Sequence, residues 1–119
     1  MSKPYRVRGR IWIEGSEGTF LGYGRVVLLE RIRDYGSISA AARSMEMSYR
    51  HAWKLVDSMN RQSDTPVVEK TTGGKGGGGA VLTEAGVQAI EMFWAVYREF
   101  KTFLAERPLS AESDARQDG

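Results

Sequence analysis

The sequence predicts a mainly α, α+β fold, and three observations carry that prediction. Two short helical patterns meet at a three-residue turn, Met45-Glu46-Met47, before Ser48. A strand, a glycine-saturated loop and a second strand follow them. A long aromatic-rich helical pattern comes last. The length of 119 residues suits one domain with one core, and 41% apolar with 27% charged residues is globular rather than disordered composition.

The elements follow in chain order. Tyr5, Val7, Ile11 and Ile13 alternate with Arg6, Arg8, Arg10 and Trp12, which predicts a strand with one apolar face. Gly15-Ser16-Glu17-Gly18 reads as a turn and Thr19-Phe20-Leu21 as a short return strand, so residues 1–22 form an N-terminal β-hairpin. From about Gly24 the period becomes helical, with Val27 or Leu28, Ile32 and Tyr35 recurring and Gly36 placed for a left-handed C-terminal cap.

Ser37 or Ser39 caps the next helix, whose alanines Ala40, Ala41 and Ala42 allow close packing. Ser48 caps the one after, running to about Gln62 with a buried stripe of Ala52, Leu55, Val56 and Met59. At about 100° per residue the opposite face holds Arg50, Lys54, Asp57 and Arg61, flanked by Tyr49 and Trp53. His51 falls near the stripe, as a packed or phosphate-adjacent side chain. Two helices across a tight turn, the second with basic groups outward, have the layout of a helix-turn-helix, although an ordinary helical hairpin with a solvated face has the same spacing.

Val67-Val68-Glu69-Lys70-Thr71 and Ala80-Val81-Leu82-Thr83 read as strands around Thr72-Gly73-Gly74-Lys75-Gly76-Gly77-Gly78-Gly79. Placed directly behind the helix pair, this makes a wing whose glycines permit close approach to a phosphate backbone and whose Lys75 supplies a point charge. A flexible linker and a nucleotide phosphate cradle are the competing readings. The cradle lacks the Ser or Thr after its lysine, since Gly76 follows Lys75, and no helix opens behind it. Thr83 and Glu84 suit the start of the last helix, reaching about Ala105 before Pro108.

Val87, Ile90, Phe93, Trp94, Val96, Tyr97, Phe100, Phe103 and Leu104 exceed one stripe on that helix. The surplus predicts self-association, unless the N-terminal hairpin covers it. The domain plan is thus a hairpin (1–22), a winged helix-turn-helix (23–83), a dimerisation helix (84–107) and a disordered tail (108–119).

Charge agrees with that plan. Seventeen Lys and Arg against fifteen Asp and Glu leave only +2, too little to name a partner. Residues 1–83 nevertheless carry an excess of five positive charges and residues 84–119 an excess of three negative ones. A polyanion-binding face opposite a self-associating one has this asymmetry, and so does chance partition. Without cysteine, and with His51 as the single histidine, disulfides, thiolate chemistry and His-rich metal sites are excluded. No nucleophile–base pair can be assembled, so the chain is not expected to be an enzyme. Apolar runs are too short for a membrane span and Met1 to Arg10 is no signal segment, which makes a cytoplasmic protein the expectation.

The sites predicted for DNA contact are Ser48, Tyr49, Arg50, Lys54 and Arg61 on the second helix, Ser39 and Arg43 on the first, and Gly74, Lys75 and Gly76 in the wing. A protein-interaction module that keeps the fold but has lost DNA binding is the alternative, and the basic residues Arg50, Lys54 and Arg61 argue against it.

Gly36-Ser37-Ile38-Ser39-Ala40-Ala41-Ala42, Ser48-Tyr49-Arg50-His51-Ala52-Trp53, Met59-Asn60 and the run from Val68 to Thr83 carry a family likeness. Over about Gly24 to Leu104 the chain resembles the N-terminal DNA-binding domain of the ModE family, bacterial molybdate-responsive regulators. The likeness to LysR-type regulators is broader and omits the glycine wing. The resemblance implies a winged helix-turn-helix, a homodimer joined through the N-terminal elements and the final helix, and a palindromic double-stranded DNA operator. Full-length members of that family hold molybdate in C-terminal oligobinding domains. The 119 residues leave no room for these, so no cofactor is expected.

Overall fold

The computed structural model describes residues 4–72, 78–107 and 109. Its elements are β1 (Ile13–Gly15), β2 (Gly18–Leu21), α1 (Tyr23–Tyr35), α2 (Ile38–Ser44), α3 (Tyr49–Gln62), β3 (Val68–Lys70), β4 (Ala80–Leu82) and α4 (Glu84–Ala105). β1 pairs with β2 and β3 with β4, each as an antiparallel two-stranded sheet. The mainly helical α+β winged fold is therefore as the sequence predicts.

Local capping chemistry sets most boundaries. Gly36 ends α1 at φ 79°, and its N–H bonds the Ile32 carbonyl. Ser37, not Ser39, caps α2 by accepting from the Ala40 N–H at 3.0 Å. Ser48 does the same for α3 toward His51, and Thr83 for α4 toward Gly86. Each serine or threonine oxygen takes one N–H that has no partner within its own helix.

One core joins these pieces. Leu21 of β2, Leu28, Leu29 and Ile32 of α1, Val56 and Met59 of α3, Val67 before β3 and Phe93 of α4 are fully or almost fully buried. Small residues let the helices approach, with Ala41 and Ala42 of α2 and Ala52 of α3 all buried. Gly86 in α4 is needed for the same reason. A Cβ there would strike the Val67 carbonyl and the Leu82 side chain.

Some sequence expectations are corrected. The alternation from Tyr5 to Ile13 does not make a strand. Only Ile13–Gly15 pairs with β2, and Tyr5 makes one isolated bridge with Leu109. β2 is four residues long, so residues 6–12 find no ladder partner, and alternation without a partner does not hold an extended chain. That segment instead runs past α4, where Gly9 lies close against the Phe100 ring. The strands flanking the wing are shorter than predicted. Val67 is buried just before β3, and Thr83 leaves β4 to cap α4. Tyr35 is exposed rather than part of the α1 stripe, and His51 is exposed rather than packed. Of the predicted tail, Leu109 is held by its bridge to Tyr5, and residues 110–119 lie outside the described residues.

Candidate nucleic-acid interface

Everything that could meet a duplex hangs on how α3 is held. Its inner stripe of Ala52, Val56 and Met59 is buried, with Leu55 half-buried beside it, so the helix has one rotational setting. Asn60 fixes the wing to it. The Asn60 amide oxygen accepts from the Val67 and Val68 N–H groups, and its NH₂ donates to the Val68 carbonyl at 3.1 Å. The first hairpin is fastened to the same helix. Gln62 accepts from the Glu17 N–H and donates to the Thr19 carbonyl, and Arg25 donates to Thr19 and to Ser58 at 3.0 Å. Partial burial holds Arg25 below the ordinary guanidinium pKa.

With its inner face so fixed, α3 turns Tyr49, Arg50, Lys54, Asp57 and Arg61 outward, all exposed. Tyr49, Arg50, Trp53, Lys54 and Asp57 line one open depression along that face. The exposed basic residues Arg50 and Lys54 lie one helical turn apart. Among the described residues the ion pairs found on basic side chains involve Arg33 and Arg61, not these two.

The predicted sites fall into three groups. Ser48, Tyr49, Arg50 and Lys54 are brought together at the start of α3, where the Ser48 oxygen also serves as the cap. Ser39 and Arg43 sit together on the exposed side of α2, the Arg43 guanidinium donating to Ser39 Oγ at 3.1 Å. Arg61 stands apart at the far end of α3. It pairs with Glu17 of the first turn and with Asp57 one turn back. The hydrogen bond to Glu17, then the charges of Asp57 and Glu17, raise its pKa above the ordinary value. Two carboxylates already neutralise that guanidinium. Gly74, Lys75 and Gly76 lie outside the described residues.

One contributor escapes the sequence reading. The Lys70 ammonium lies 4.4 Å from the centre of the Trp53 ring, at the junction of α3 and the wing. Period two from buried Val68 turns Lys70 toward α3, a signal present in the sequence but readable only once β3 is known to pack there. Trp53, flanking the outward face, is half-buried as a packing residue.

The wing base is anchored on both sides. Thr71 N–H bonds the Gly79 carbonyl, and Ala80 N–H bonds the Gly36 carbonyl, both at 2.9 Å. Thr71 and Gly79 are thereby tied to each other, and Ala80 to the end of α1.

No group of three potential metal ligands occurs among the described residues, and no described helix is long and apolar enough to cross a membrane. A charged helix face beside a two-stranded wing defines the class, a winged helix-turn-helix. The profile of the bacterial regulatory helix-turn-helix proteins of the lysR family matches residues 24–87, and the chain belongs to that family.

Curated relatives narrow the likeness. The molybdenum-pterin-binding protein MopB of Rhodobacter capsulatus is 49% identical over 79 residues, 66% of this chain and 29% of MopB. The molybdenum transport protein ModE of Azotobacter vinelandii is 36% identical over 99 residues, 83% of this chain and 37% of that protein. The DNA-binding transcriptional dual regulator ModE of Escherichia coli K12 is 46% identical over 69 residues, 58% of this chain and 26% of that protein. The matched region is thus a ModE-like DNA-binding domain, and the chain spans only about a third of the length of these relatives.

Proposed function

We propose that this chain is a transcriptional repressor that binds a palindromic operator as a homodimer, with α3 in the major groove and the glycine-rich wing on phosphates. The observation that carries the reading is the outward pair Arg50 and Lys54 on a helix whose other face is locked into the core. Arginine offers the bidentate fork that suits a guanine edge, and lysine suits a phosphate. Ser48 and Tyr49 at the helix start, Arg43 with Ser39 on α2, and Lys75 between Gly74 and Gly76 supply backbone contacts in this reading. Arg61 contributes least, because Glu17 and Asp57 hold it.

The homodimer reading is supported by α4. Met92, Val96 and Phe103 lie exposed on it at helical spacing, although the N-terminal segment covers the neighbourhood of Phe100. Exposed apolar residues in a helical row favour a second apolar surface. Molybdenum belongs to the names of whole relatives of which this chain spans about a third. We propose that the domain itself binds DNA without a cofactor.

Selection of bound duplexes from a random pool, with and without molybdate, tests the reading. It predicts an enriched palindrome with half-site centres one helical turn or a multiple apart, the same with and without the oxyanion. An unenriched pool would overturn the operator, and a single unrepeated half-site would overturn the dimer.

A further inference from the structure

Between the start of α3 and the base of the wing lies a cavity of about 130 Å³, lined by Tyr49, Lys70, Thr71, Gly78 and Gly79 together with Ile38 and Ala80. It is smaller than the roughly 300–1,000 Å³ of small-molecule sites. The residues with polar side chains that line it are one lysine, one threonine and one tyrosine, with no carboxylate among the described lining residues. All three side chains can donate hydrogen bonds, and the one full charge among the described lining residues is positive.

The seat is also held in place. Lys70 rests over the half-buried Trp53 ring, which limits the wandering of a flexible side chain. Thr71 is tied to Gly79, and Ala80 to the Gly36 carbonyl, so both strands are fixed at this height. Tyr49 lines this cavity and also the depression along the outer face of α3. An anion seated here would therefore border whatever lies along that face.

We propose that this cavity seats one DNA backbone phosphate, bound by Lys70 and the Thr71 and Tyr49 hydroxyls, with Trp53 as the positioning residue for Lys70. The inference rests on the DNA-binding reading and adds to it a contact at the junction of α3 and the wing. Lysine at a phosphate acts as a point charge whose release of counterions is counted by the salt dependence of binding.

The test is the affinity of the full chain for a selected operator and a random duplex across a salt series. Lys70→Gln is expected to weaken both duplexes by the same factor and to flatten the plot of log affinity against log salt by about 0.9 for each protomer bound, about 1.8 for the proposed dimer. Lys70→Arg restores the slope. Trp53→Leu loses part of it while Lys70 is intact, whereas Trp53→Phe, which keeps an aromatic face, does not. A purely structural role would lower the melting temperature and leave the slope alone. Wild-type affinity and slope in Lys70→Gln would overturn the phosphate seat, as would a loss confined to one base pair of the operator. A wild-type chain with no affinity for either duplex would overturn the DNA-binding reading itself, and the seat with it.

Discussion

α3 and α4 are both amphipathic helices packed on the same core, yet they turn opposite chemistry outward. α3 buries Ala52, Val56 and Met59 and exposes Arg50, Lys54, Asp57 and Arg61. α4 buries Ala89, Ile90 and Phe93 and exposes Met92, Val96 and Phe103 among its polar residues. A solvated charged face needs no partner to be stable in water. An apolar row has a higher free energy when it faces water and is stabilised by being covered. The contrast fits the two kinds of partner proposed for the two helices, a polyanion for α3 and a second copy of the chain for α4.

The comparison can be broken first at its common foundation. Phe93 is fully buried and stacks on Tyr97, so Phe93→Ala should destabilise the fold by about 3–5 kcal/mol in denaturant unfolding. A loss below about 1 kcal/mol would mean that α4 is not anchored as described. Next is the clamp on the α3 side. Asn60→Ala strands two N–H groups and a carbonyl, and should cost about 1–3 kcal/mol in the same measurement.

The outward face of α4 is probed by Val96→Glu. This substitution should leave the unfolding midpoint of the monomer near wild type and shift sedimentation from dimer to monomer, because a carboxylate would be buried without a partner. An unchanged sedimentation coefficient would remove Val96 from the proposed dimer surface. The smallest effect belongs to the turn between the helices. Glu46 is held at φ 56°, in the left-handed region that suits glycine, so Glu46→Gly should stabilise by up to about 1 kcal/mol, read as a rise in melting temperature.

What could be read from the sequence was local. Gly36, Ser48 and Thr83 act through groups within four residues, and the stripe from Ala52 to Met59 repeats on one helix, so each was visible without a partner. The winged order followed from those pieces. The alternation from Tyr5 to Ile13 misled because a strand also needs a neighbour, and β2 is too short to supply one beyond Ile13. His51 stands about 100° round the helix from Ala52, at the edge of the stripe, and the core does not extend that far round.

The interface was less legible than the fold. Tyr49, Arg50 and Lys54 stand together because they share one helix. The engagement of Arg61 by Glu17 joins residues 44 apart in the chain, and Asn60 binds a strand that does not yet exist when its helix is read alone. Lys70 over Trp53 is of the same kind. Such contacts are set by how hairpin, helix and wing pack, which no local period encodes.

The account stands on base reading by the exposed face of α3, and one titration addresses that most directly. Wild type and Arg50→Ala are compared on the selected operator and on a random duplex at one fixed salt concentration. The expected result is a loss of about 1–3 kcal/mol for each half-site of the operator, relaxed preference at one base position in each, and a smaller loss on the random duplex. Equal loss on both duplexes would contradict base reading by this face.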